Sequence, residues 1–159
     1  MRLTDSGRQV TGGGGITPDI VVPAPKLTKF QQLLFRDDVF FPAETGVGGF
    51  TRYYLGTKPT ITKDFEVDDV LMLKFRQYLS SHSVRYNEFE MAENLDWIKR
   101  KIKQEVFMST FGQQEGFKVL LEADPQVQKA VEALPEARAL YQNARKIVAQ
   151  RMSGSFNQP

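Results

Sequence analysis

Beyond residue 26 apolar side chains recur every three or four positions, the spacing of one buried helix face. Thr28 caps a first helix that runs to about Phe41, with Phe30, Leu33 and Leu34 inward and Pro42 as its stop. Phe50 to Leu55 adds one or two turns. Asp68 or Asp64 caps a helix through about Ser81, striped by Leu71, Phe75, Tyr78 and Leu79. Asn87 and Glu90 have the spacing of a capping box. From there the longest helix runs to about Phe111, with Met91, Leu95, Ile98, Ile102 and Val106 on one face and Gly112 as its end. A helix over about Gln113–Glu122 follows, with Phe117, Leu120 and Leu121 apolar. Asp124-Pro125 is a helix start, and Val127, Ala130, Val131 and Leu134 stripe a short element. Pro135 then opens the last helix, with Ala137, Leu140, Ala144, Ile147 and Val148.

The first 25 residues follow a different pattern. Arg8 to Val10 reads as a short strand, Gly12 to Gly15 as a glycine elbow, and the β-branched Ile20 to Val22 as a second strand entered through Pro18. Pro23-Ala24-Pro25 is a stiff extended spacer. The fold class is therefore mainly α: a bundle of about five or six helices preceded by a short β-hairpin-like segment. The divisions fall at residues 1–25, 26–152 and 153–159, the last a polar, flexible tail.

A hydrophobic content of 41 % and a charged content of 25 % are those of a globular protein, and the chain has 159 residues, enough for one domain with an appendage. A net charge of +2 gives no global field that argues for nucleic acid. The absence of cysteine excludes disulfides and thiolate metal sites. The apolar runs are too short to span a bilayer, and no signal peptide opens the chain.

Each candidate for chemistry has a plainer structural role. The glycines 12–15 lack the following helix that a phosphate loop needs, and Gly46-Val47-Gly48-Gly49 reads as a flexible connection. Lys99, Arg100, Lys101 and Lys103 form the densest basic cluster, and Asp96 has the spacing for ion pairs with Lys99 and Arg100. A solvated helix face is expected there, with an acidic partner or membrane headgroups as the functional alternative. Neither a recognised module nor interleaved aromatics accompanies the cluster, which speaks against nucleic acid. His82, flanked by serines, has no partners at metal-ligand spacing. Asp37-Asp38 and Asp68-Asp69 lack a calcium-loop pattern and suit helix ends. Phe40, Phe41, Phe50, Tyr53 and Tyr54 read as helix core, with an exposed binding surface as the alternative.

Ser6-Gly7-Arg8 and then Gly13, Gly15-Ile16, Pro18-Asp19 resemble the closing segment of the catalytic core in carboxyl-terminal processing, or tail-specific, proteases. The resemblance covers about residues 3 to 22 and departs at Asp5, where the family often has proline. Phe111-Gly112 with Glu115-Gly116, and Asp124 to Val127 with Lys129-Ala130, are similar to the helical tail that some bacterial members carry. The resemblance implies that Met1 begins a fragment of a periplasmic or cell-envelope enzyme whose upstream core is missing. In the family a lysine activates a serine nucleophile, with a glutamine four residues after the lysine. Lys146 and Gln150 share that spacing by chance, without the Gly-Lys-Gly or serine-rich contexts. The expectation is thus no catalytic residue, cofactor or metal in this chain, the rest of the parent protease as partner, and a homodimer through residues 8–22. An independent helical interaction module is the other reading.

Overall fold

A computed structural model describes residues 2–3, 9–10, 18–40 and 49–154, with side chains over 18–40 and 49–150. Seven helices dominate those residues, as the spacing predicts: α1 Lys29–Arg36, α2 Phe50–Gly56, α3 Asp69–Ser81, α4 Glu88–Glu93, α5 Leu95–Phe111, α6 Gln113–Leu121 and α7 Pro125–Gly154. Two short strands, β1 Arg2–Leu3 and β2 Gln9–Val10, pair antiparallel, with Arg2 opposite Val10 and Leu3 opposite Gln9. The hairpin expected between residues 8–10 and 20–22 is not seen. Ile20–Val22 forms no strand among the described residues. The glycine elbow 12–15 lies outside them, as do Phe41, Pro42, residues 43–48 and 155–159.

Side-chain caps set three of the helix starts. Thr28 and Gln31 close a capping box at α1, Asp68 accepts from the Leu71 amide at α3, and Asn87 with Glu90 closes a second box at α4. Three lengths differ from expectation. α1 stops at Arg36 because acids sit poorly at the negative end of a helix: Asp37 caps it and Asp38 turns left-handed at φ 49°. That turn sends Val39 and Phe40 into the core. The expected single helix over 88–111 is broken at Asn94, whose Nδ2 donates to the Glu90 carbonyl at 2.7 Å and whose Oδ1 accepts from Thr28 Oγ1 at 2.9 Å. A side chain that competes for the helix's own carbonyl bends the run. In the other direction, Pro135 does not divide the C-terminal segment, because α7 runs through it. Its ring removes one hydrogen bond, and the alanine-rich turns on either side keep the helix continuous.

Residues 25–124 form one compact unit. Its core gathers Leu34, Phe40, Phe50, Phe75, Leu79, Met91, Ile98, Ile102 and Val106, all fully buried. Phe50 meets Phe75 edge-on with centroids 5.0 Å apart, and Phe40 stacks on Phe75 at 5.8 Å. Each such pair adds about 0.5–1.5 kcal/mol beyond its area. Trp97 stands edge-on to Phe35 and Phe40 at the rim of the same cluster.

The α5–α6 corner is set by Gly112, at φ 94°, and Gly116. A Cβ on Gly116 would lie 2.8 Å from Met108 Cβ and 3.0 Å from the Gln104 carbonyl oxygen. The close crossing buries Gly116 and Val119, while Phe117, Leu120 and Leu121 stay 40–49 % exposed, contrary to the apolar face expected of them.

The other unit joins the described residues of 1–24 to α7. Pro18 and Ile20–Val22 lie along Gln126, Lys129, Ala130 and Ala133, with an open groove of about 370 Å³ between them. The Gln126 side chain donates to the Val22 carbonyl at 2.9 Å.

Candidate functional site

Of the aromatic group Phe40, Phe41, Phe50, Tyr53 and Tyr54, Phe40 and Phe50 belong to the core, and Phe41 lies outside the described residues. Phe40 and Phe50 are fully buried and Tyr54 is half-buried against them, leaving Tyr53 exposed. Asp37 and Asp68 cap helices, as expected of residues at helix ends. His82 stacks on Tyr78 at 3.9 Å, and its Nδ1 lies 2.9 Å from the Tyr78 carbonyl and 3.0 Å from Ser81 Oγ. Those contacts are all local. Lys146 and Gln150 lie on the exposed length of α7. Among the described residues no three His, Cys, Asp or Glu side chains cluster as metal ligands would.

The basic cluster on α5 is not one solvated face. Lys99 reaches Asp69 at 3.5 Å and Lys103 pairs with Glu66, while Arg100 is exposed. Lys101 points inward and is only 9 % exposed. Its Nζ donates to Gln104 Oε1 at 2.8 Å, stands 3.4 Å from Glu105 Oε1, and lies 5.4 Å from the Phe35 ring centre. Burial pulls the Lys101 pKa down and pushes that of Glu105 up, each partly offset by the other's charge. Sequence reasoning missed this group. The available signal was Glu105, which stands where the stripe Ile98, Ile102 calls for another apolar residue three positions on.

A second polar group ties the loop after α2 to the α5–α6 corner. Lys63 Nζ sits 2.7 Å from Glu115 Oε2 and 4.2 Å from the Phe111 ring centre, and Lys118 donates to Glu115 Oε1 at 2.6 Å. Two ammonium groups hold the Glu115 carboxyl down at about 2.

Exposed apolar side chains run along α7. Its 30 residues span about 45 Å. Ala130, Ala133, Ala137 and Leu140 face the 18–22 segment. Val131, Leu134, Tyr141 and Val148 are 46–64 % exposed along the helix, and Val21 opposite is 75 % exposed. An amphipathic helix of this length is ordinarily stabilised by what it packs against. No helix among the described residues is long and apolar enough to cross a membrane. Comparison with protein-family models, curated proteins and solved structures found no match for the chain.

Proposed function

We propose that this chain is the non-catalytic, helical C-terminal domain of a carboxyl-terminal processing serine endopeptidase of the periplasm or cell envelope. In the parent it packs on the protease core, helps assemble subunits or gates substrate entry. Protein or peptide ends are the parent's substrates rather than this chain's. One observation carries the reading: Ser6-Gly7-Arg8, then Gly15-Ile16 and Pro18-Asp19, leads into an apolar stretch with Ile20 at 44 % and Val21 at 75 % exposure. β-branched residues left open in this way suit a neighbouring strand. The exposed apolar side of α7 supports the same reading.

The test has two parts. The reading frame upstream of Met1 is expected to encode a serine–lysine core. The longer protein is expected to cleave unfolded polypeptides, with a changed rate or assembly when residues 26–159 are removed. Residues 1–159 alone are expected to cleave nothing. An upstream frame without that core sinks the assignment, as does cleavage by the purified chain that a serine substitution abolishes.

The alternative is an independent helical interaction module. It is favoured by the self-contained core of residues 25–124. Under that reading residues 25–124 fold alone and capture a partner without any protease core.

A further inference from the structure

Two helices in contact, α2 and α5, each carry one buried oxygen without a hydrogen-bond partner: Thr51 Oγ1 and Glu105 Oε1. Thr51 is 3 % exposed and Glu105 4 %. Lys101 approaches Glu105 Oε1 at 3.4 Å without the alignment of a hydrogen bond and donates to Gln104. An oxygen stripped of water and given no donor raises the free energy of the closed state, and hydration relieves it. At its start α2 has no side-chain cap, as α5 and α6 also lack one, and Phe50 N–H donates to the Val39 carbonyl at 2.7 Å. Its main anchor is Phe50, set against Phe75 and Tyr78.

We propose that α2 is a latch that opens by itself, ahead of global unfolding, as water reaches Thr51 and Glu105. Opening withdraws Phe50 and bares the rings of Phe75 and Tyr78 as an aromatic recess. The proposal stands whether or not the protease reading does.

Native-state hydrogen exchange on the whole chain tests it. The amides of Tyr53, Tyr54, Leu55 and Gly56 are expected to exchange at least about tenfold faster than the slowest amides of α3 and α5, through an opening of their own. Thr51→Val keeps the side chain's shape and removes its hydroxyl, so those amides are expected to slow by about threefold or more relative to α3 and α5. Lys101→Met combined with Glu105→Leu is expected to slow them likewise. α2 amides that exchange in step with the slowest amides of α5 in the unaltered chain overturn the proposal. So does a pair of folded variants in which α2 exchanges as fast as before, or faster.

Discussion

Lys101 shows how far one residue departs from its sequence neighbours. Lys99 and Arg100 can be replaced with effects within about 0.5 kcal/mol, as is usual for surface positions. Lys101→Ala instead strands a buried carboxylate, and breaking such a pair costs about 3–5 kcal/mol. Its cost is expected to shrink as the pH falls, because Glu105, already raised by burial, can then take a proton and lose its charge. Urea unfolding of Lys101→Ala at pH 8 and pH 5 checks both points. Equal costs at the two values exclude Glu105 as the cause. The inward turn of Lys101 was not legible beforehand, because a lysine between Arg100 and Ile102 fits a solvated edge equally well, and only packing against Phe35 decides.

Glu115 carries the clearest dependence on acid. Its carboxyl is held at about 2, below the ordinary 4.5, by hydrogen bonds from Lys118 and Lys63. A depressed carboxylate contributes stability that is fully present above the ordinary value and is lost as the pH falls through about 2. Thermal midpoints are therefore expected to drop between pH 4.5 and 2, and Lys118→Met should flatten that limb. High salt should flatten it too, since the Lys118 side chain is 67 % exposed and its attraction is screened. A carboxyl resonance of Glu115 that titrates near 4.5 refutes the pairing.

At the scale of elements, legibility followed locality. The starts at Thr28, Asp68 and Asn87 were readable because a cap and the amides it serves lie within one turn, and that at Pro125 because proline suits the first helical position. Asn94 was not, since its break depends on Thr28, 66 positions away in sequence. Gly116 hid the true face of α6 in the same way, because the partner that fills its missing side chain belongs to α5. The Ile20–Val22 stretch reads as a strand by composition, but β-propensity expresses fit to a pleated neighbour, and here the neighbour is a helix rich in alanine. Pro135 reads as a helix start by its sequence and is an interior position of α7. Interior proline costs about 3 kcal/mol, so Pro135→Ala is expected to raise the local stability of α7 by up to about that amount without changing helix content much. Amide exchange over residues 132–142 reads the gain. A gain in helix content of several residues would mean that α7 is two helices in solution.

At the scale of the whole molecule, the chain divides into two compact units. Pro18 and Ile20–Val22 lie along α7, whereas residues 25–124 close their own core. We expect the full chain to self-associate weakly through residues 8–22, since the exposed Ile20 and Val21 side chains are most simply covered by a two-fold copy of the same segment. Removing residues 1–25 is expected to abolish that association and leave α1 to α6 intact. Sedimentation of both forms over a concentration series decides it. A full-length chain that stays monomeric at high concentration, or a dimer that survives the truncation, assigns any pairing to the helices.

The position of Trp97 has a practical consequence. It is the chain's single tryptophan, and it sits among Phe35 and Phe40 in the unit built from residues 25–124. Tryptophan emission therefore monitors that unit alone, while far-ultraviolet dichroism also sums the 30 residues of α7. The offset between the two melting curves becomes a direct gauge of how tightly the halves of the chain are thermodynamically coupled, with no label or added probe.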